Sequence, residues 1–319
     1  MAKARAHTNI ALIKYWGKKD ERDRIPLMSS ISLTLDKFYT ETELSAADQD
    51  EFRLNGKRQN DQAGQRVFSY LHRLQKQFHL PWQHLQVNSI NHVPTAAGLA
   101  SSSSAFAALA ASFNYLYNLH LDKKQLSQLA RMGSGSASRS IYGGFSIWEK
   151  GHDNSDSYAL AIDEHPTMDL QLLAVELNTH PKKNKSTQGM RMAQSSPFYQ
   201  TWLKRNDLEI KEMQAAISAQ DFSKLGQLAE LNANEMHAIN LTAQPEFTYF
   251  EPETITAIKL VEKLREQGIE CYYTIDAGPN LKVLCRLRNS KEIFKHFQKT
   301  FPNVRIVQAS FGPGISCLD

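Results

Sequence analysis

Pro94-Thr-Ala-Ala-Gly-Leu-Ala-Ser-Ser-Ser-Ser-Ala105 joins a strand pattern to a helix pattern. Before it, Leu85, Val87 and Ser89 alternate with a period of two; after it, Phe106, Leu109, Ala110, Phe113, Leu116 and Tyr117 return at helical spacing on one broad face. Small residues let a backbone approach a ligand closely, and the free N–H groups at a helix start carry partial positive charge, so this junction reads as a phosphate cradle. The hydroxyls of Ser101, Ser102, Ser103 and Ser104 offer hydrogen bonds to phosphate oxygens or to a metal-bound water. A flexible serine-rich linker has a similar composition, but a linker does not usually open straight into a core-facing helix.

Neither common nucleotide fingerprint is present. The chain has no Gly-x-x-x-x-Gly-Lys-Ser/Thr, and Gly133-Ser-Gly135-Ser-Ala-Ser138 carries Ser where the dinucleotide fingerprint needs its third Gly. That second Gly/Ser stretch reads as a loop ending in Arg139, whose planar guanidinium suits a two-bond grip on a carboxylate or phosphate. Near the start, Asn9-Ile-Ala-Leu-Ile-Lys14-Tyr-Trp-Gly-Lys18 sets two lysines beside aromatic walls. Lys14 reads as an ordinary surface lysine on an edge strand, and Lys18, after Gly17, as a partly desolvated point charge for phosphate. In Thr274-Ile-Asp276-Ala-Gly278-Pro279-Asn280 the Gly and Pro force a turn that fixes the Asp276 carboxylate at its start.

Outward from these segments, Met28 to Leu44 alternates at strand period, Glu51 to Leu54 leads into an Asn55-Gly56 hairpin signal, and residues 61 to 78 form an amphipathic helix. A short helix near Leu126 to Met132 precedes strands at 144–149, 158–162 and 170–177. Longer helices over 221–237 and 252–267 precede strands at 269–275 and 281–287. Helices and strands mix without a strand-helix-strand rhythm, which predicts an α+β fold. A length of 319 residues favours two domains, and the basic Lys182-Lys183-Asn184-Lys185 run, read as a solvated loop, puts the boundary near 178–185, giving parts 1–180 and 181–319.

The charge balance, 37 basic against 33 acidic residues for a net +4, can draw small anions locally but provides no broad face for nucleic acid. Cys271, Cys285 and Cys317 are too few and too scattered for a disulfide framework or a zinc site, which suits a reduced, cytosolic chain. No apolar run reaches membrane-spanning length and no cleavable leader is evident.

Taken together, Asn9 to Lys18, Pro94 to Ala105, Gly133 to Arg139, Ser186-Thr-Gln-Gly-Met190 and Asp276 to Asn280 resemble the diphosphomevalonate decarboxylase family, within the superfamily of galactokinase, homoserine kinase, mevalonate kinase and phosphomevalonate kinase. The Pro-x-x-x-Gly-Leu-x-Ser-Ser-Ser loop is shared across the superfamily, whereas Lys-Tyr-Trp-Gly-Lys and Asp-Ala-Gly-Pro-Asn point to the decarboxylase branch. His7 stands where the kinase relatives usually carry Pro. The resemblance implies an N-terminal part like ribosomal protein S5 domain 2, a ferredoxin-like C-terminal part and a homodimer. It also implies ATP-dependent decarboxylation of mevalonate 5-diphosphate, with the 3-hydroxyl phosphorylated first and Mg²⁺ held mainly by phosphate and water. By the same resemblance Asp276 is the base or orienting carboxylate, Lys18 pairs with it and with the transferring phosphate, and Arg139 holds the substrate carboxylate. Tyr15, Trp16, Gly17, Arg66, Ser134, Gly135, Ser136, Ala137, Ser138 and Thr187 line the substrate pocket, and Gly98, Leu99 and Ser101 to Ser104 take the ATP phosphates. The competing readings are a 3-kinase of mevalonate or phosphomevalonate, a decarboxylase of the monophosphate, and a ligand-sensing or RNA-binding protein on the same scaffold.

Overall fold

A computed structural model describes residues 1–60, 62–93, 101–180 and 183–318. The chain builds two sheets. In the first, the long strands β1 (Ala2–Ile13) and β2 (Ser30–Ala46) pair antiparallel, and β3 (Glu51–Leu54), β4 (Lys57–Arg58), β5 (Leu85–Asn91), β6 (Phe145–Trp148) and β7 (Ala159–Asp163) extend it. The alternation from Met28 to Leu44 belongs to this single 17-residue β2. Asn55 and Gly56, both at positive φ, turn β3 into β4. In the second sheet β8 (Gln171–Glu176), β9 (Cys271–Ile275), β10 (Leu281–Cys285) and β11 (Arg305–Ala309) lie in the antiparallel order β11-β8-β10-β9, the 4-1-3-2 order of a ferredoxin-like sheet. The last strand, β12 (Ser316–Leu318), returns to the first sheet beside β1.

Among the described residues eight α-helices cover the sheets: α1 (Gln62–Gln77), α2 (Ser101–Leu116), α3 (Lys123–Gly133), α4 (Ser186–Ala193), α5 (Tyr199–Ser218), α6 (Phe222–Leu241), α7 (Pro252–Glu266) and α8 (Leu287–Thr300). The outer face of the first sheet packs on α1, α2 and α3 through Leu44, Val87, Leu71, Phe113 and Leu129. Successive strand residues point to opposite faces, so β8 sends Leu173 and Val175 toward α7 and α8, and Leu172 and Ala174 toward α5, α6 and the first sheet. The two sheets therefore share one core, in which Ile10 and Leu12 of β1 meet Leu284 and Tyr272. Among the described residues no helix is long and apolar enough to cross a membrane.

Candidate active site

Strand parity decides which side chains meet at the junction of the two sheets. On β9, Cys271, Tyr273 and Ile275 face α7 and α8, so Thr274 and the next residue of that parity, Asp276, face β1. On β10 the same rule turns Lys282, opposite Thr274, to the β1 side. On β1, where bulges interrupt the register between His7 and Asn9 and again between Ala11 and Ile13, Ile10 and Leu12 point into the shared core and Lys14 continues their parity. The result is an ion triad. Lys14 Nζ donates to Asp276 Oδ1 at 2.7 Å and to the Ala11 carbonyl at 2.9 Å, and Lys282 Nζ lies 3.2 Å from Asp276 Oδ2. The two lysine side chains are 2% and 1% exposed, against 23% for the carboxylate. Burial alone would raise the Asp276 carboxyl, but the ammonium groups of Lys14 and Lys282 reverse this and hold it well below the usual carboxylate range. Burial lowers the Lys14 ammonium, with Asp276 opposing.

Two sequence expectations are thereby corrected. Lys14 is not a surface lysine, because β12 flanks the start of β1 and the second sheet covers its end. The partner of Asp276 is Lys14, with Lys282, and not Lys18. Lys18 sits four residues on, where the chain has left the strand, and its Nζ donates to Glu21 Oε2 at 2.9 Å and Thr187 Oγ1 at 3.2 Å. Arg191 of α4 reaches the other Glu21 oxygen at 3.0 Å, so Lys18, Glu21, Thr187 and Arg191 tie the β1–β2 connection to α4. Burial lowers the Lys18 ammonium and Glu21 opposes.

The stretch from Gly133 to Arg139, read from sequence as a loop, is a buried 3₁₀ helix over Gly135–Ile141. Its Arg139 is 2% exposed. The guanidinium donates to Ser30 Oγ at 2.5 Å and to Asn9 Oδ1 at 3.2 and 3.3 Å, all neutral acceptors. Burial brings Arg139 down to about 10 against the pull of the nearby Asp276 carboxylate. Asn9 is itself fixed, since its Nδ2 donates to the Ser136 carbonyl and Ser140 Oγ. Tyr15 packs edge-on against Trp148 with ring centroids 4.6 Å apart, and its hydroxyl is buried without a hydrogen-bond partner. A Cβ at Gly135 would stand 2.8 Å from Tyr15 Cε1 and 2.9 Å from Trp148 Cη2. Gly135→Ala is therefore expected to destabilise the fold by about 1–3 kcal/mol through overpacking, read from denaturant unfolding.

The remaining candidates divide by accessibility. Ser101 and Ser102 sit half-buried at the mouth of α2, with the Ser102 hydroxyl 3.1 Å from that of Ser134, which is 3.5 Å from Ser136 Oγ. Ser103 and Ser104 are buried, and Ser104 Oγ meets Thr8 and Thr40 hydroxyls at 3.2 and 2.8 Å. Ser138 donates to the Gly135 carbonyl and Ala137 is in the core. Trp16 is likewise buried, its indole N–H given to Asn240 Oδ1 at 2.8 Å, and a Cβ at Gly17 would overlap the Tyr199 hydroxyl. Arg66 donates to the Gly133 carbonyl at 2.8 Å and lies over the Phe106 ring. Gly98, Leu99 and Lys182 lie outside the described residues.

A cavity of about 240 Å³ opens beside the mouth of α2, lined by Val67, Val87, Ser102, Phe106 and Leu109 among others. A second hollow of about 370 Å³, lined by Asp50, Gln59, Phe68 and His72, contains none of the groups described above. Among the described residues no cluster of three or more His, Cys, Asp or Glu is placed to hold a metal ion. Asn9, Lys14, Arg191 and Lys282 are the functional candidates that the sequence reading left without a role. For Lys282 the signal was present: a lone lysine in the otherwise apolar Leu-Lys-Val-Leu-Cys, two residues beyond a constrained turn.

An apolar cavity, a helix mouth with two hydroxyls, a buried guanidinium on neutral partners and a carboxylate between two ammonium groups define an enzyme that works on small polyanions. The profile of the diphosphomevalonate decarboxylase-like N-terminal domain matches residues 6–159, and that of the mevalonate 5-diphosphate decarboxylase C-terminal domain matches residues 172–313. The chain belongs to the diphosphomevalonate decarboxylase family. It is 35% identical to the diphosphomevalonate decarboxylase of Candida albicans, over 98% of this chain and 96% of that one. It superimposes on the crystal structure of mevalonate diphosphate decarboxylase from Staphylococcus aureus with a TM-score of 0.96 at 45% identity, covering 100% and 98% of the two chains. The complex of MDDEF with MVAPP, AMPPCP and magnesium gives 0.93 at 43% identity, with the same coverage.

Proposed function

We propose that this protein decarboxylates mevalonate 5-diphosphate to isopentenyl diphosphate at the expense of ATP, releasing ADP, phosphate and CO₂. Family membership supports the reaction, and the observation that carries its assignment to residues is the Lys14–Asp276–Lys282 triad beside a buried Arg139. A tertiary hydroxyl leaves poorly, so it is first phosphorylated, and departure of that phosphate draws the electrons of the C–CO₂ bond into the new double bond.

In this reading the 3-hydroxyl donates to Asp276, which orients its oxygen toward the transferring phosphoryl group. A carboxylate held so far below its usual range is a weak base, and a loose phosphoryl-transfer transition state asks for the proton only late. Lys14 and Lys282 keep the carboxylate ionised and sit where transferring phosphate would meet them. Arg139 takes the substrate carboxylate, its charge having only neutral hydrogen-bond partners. Tyr15, Lys18, Arg66, Ser134, Ser136 and Thr187 serve the diphosphate side, and Ser101 and Ser102 at the mouth of α2 take ATP phosphate, its base entering the apolar cavity. Mg²⁺, when bound, neutralises phosphate charge. With no carboxylate cluster among the described residues, phosphate oxygens and water would hold it, alongside the neutral hydroxyls of Ser101 and Ser102.

Incubation with ATP, Mg²⁺ and mevalonate 5-diphosphate is expected to release CO₂, and chelation of Mg²⁺ to stop it. ADP without CO₂ would indicate a 3-kinase, and equal rates on the monophosphate would remove the diphosphate from the specificity. The cytoplasm is the compartment that suits three unpaired thiols, and a homodimer the assembly, which sedimentation would test.

A further inference from the structure

We propose that Glu209 is a positioning residue that acts on the reaction through Asn232 and the backbone of Lys14. Lys14 is the first residue beyond the end of β1, and its N–H is donated to Asn232 Oδ1 at 2.8 Å. A carboxamide can present either end, and the orientation of this one is set from behind: Asn232 Nδ2 donates to Glu209 Oε2 at 2.8 Å. Asn232 and Glu209 are both buried, at 1% and 3% exposure, in the seam between α5 and α6. The chain of contacts therefore runs from Glu209 to Asn232, to the Lys14 backbone, and along the Lys14 side chain to Asp276.

The far end of this chain is a pair of acids. Glu209 Oε1 and Glu235 Oε2 are buried without a hydrogen-bond partner. Burial and the neighbouring Glu235 raise the Glu209 carboxyl, while Asn232 and Arg205 pull it down. Arg205 approaches Glu209 Oε1 at 3.6 Å and Glu235 Oε1 at 3.2 Å, so a single cation faces both acids. The Glu209 carboxylate is the acceptor that the buried Asn232 Nδ2 requires. It fixes which end of Asn232 meets Lys14, and so where Nζ stands relative to Asp276.

The inference rests on the Lys14–Asp276 pair being part of the catalytic machinery. The test is a cycle of Glu209→Leu, Lys14→Met and the double variant, with kcat, KM and denaturant unfolding measured for each. Glu209→Leu leaves the buried Asn232 Nδ2 without its acceptor, so it is expected to unfold at a lower denaturant concentration than wild type and, assayed where both are folded, to lose at least about tenfold in kcat, with KM within about twofold, as a displaced reacting group requires. Glu209→Gln, which keeps an acceptor for Asn232, should recover most of that loss. In the Lys14→Met background Glu209→Leu should cost nothing further, since its effect travels through Lys14. Asn232→Ala cuts the same chain one link later and should give the same kcat loss and the same non-additivity, whether or not Glu209→Leu folds. A kcat for Glu209→Leu or Asn232→Ala within twofold of an active wild type, or a loss undiminished in the Lys14→Met background, would overturn the inference. An inactive wild type would instead contradict the functional reading.

Discussion

Asp276→Asn is expected to lose at least about a hundredfold in kcat, the scale of a positioned acid–base group. The substitution keeps the shape of the side chain and removes its charge, so the Lys14 and Lys282 ammonium groups lose their shared counter-ion while remaining 2% and 1% exposed. Two effects follow. The 3-hydroxyl loses the anionic acceptor that aims its oxygen, and the buried Lys14, already lowered by burial with only Asp276 opposing, is driven toward its neutral form. A stability loss accompanies the kinetic one, moderated by water because Asp276 is itself 23% exposed. Its pH dependence has a definite sign. The folded-state carboxyl of Asp276 is depressed, so it contributes stability above the unfolded value, and that contribution fades as pH falls below about 4. The stability gap between wild type and Asp276→Asn should therefore shrink as pH falls below about 4, where Asp276 loses its charge. Unfolding curves at several pH values check this, and a gap that opened only in acid would contradict the triad.

Arg139→Lys is the second large effect, about two to three orders of magnitude in kcat, comparable to deleting a preorganised donor in a water-excluded site. Lysine keeps the charge but not the fork. The guanidinium uses Nη1 for Ser30 and both Nε and Nη2 for Asn9, which holds its plane facing the cleft; a flexible ammonium can satisfy one of these partners or the substrate, but not both. Since the charge is retained, the fold should tolerate the change better than Arg139→Ala. The comparison of kcat in the two variants separates charge from planarity, and full activity in Arg139→Lys would remove the carboxylate clamp.

The sequence singled out the helix-mouth stretch, the turn at Asp276 and Arg139 as candidates because each is a local signal: small residues ahead of an apolar helix, Gly-Pro after a lone acid, an arginine closing a Gly/Ser run. Partners set by tertiary pairing were not legible in that way. Which of Lys14 and Lys18 meets Asp276 depends on the bulges in β1 and on where that strand ends. Helix α5 had no place in the sequence reading because its buried face, Tyr199, Trp202, Asn206, Glu209, Ile210 and Met213, is interrupted by the polar Asn206 and Glu209. Those two residues are engaged with the rest of the protein: Asn206 caps the Ser29 backbone in both directions, and Glu209 reaches toward Lys14 through Asn232. The Gly133 to Arg139 stretch looks like a loop by composition, yet it closes into a 3₁₀ helix whose Ser136 carbonyl and Arg139 guanidinium find partners on β1 and β2.

The central claim, that one cleft at the junction of the two sheets couples phosphoryl transfer to loss of CO₂, is tested most directly by product stoichiometry with substrate labelled at the carboxyl carbon. Wild-type protein with ATP and Mg²⁺ should release one labelled CO₂ per ADP, and Asp276→Asn assayed beside it should release almost none of either. ADP formed without CO₂ by the wild type, or both products at the wild-type rate from Asp276→Asn, would contradict it.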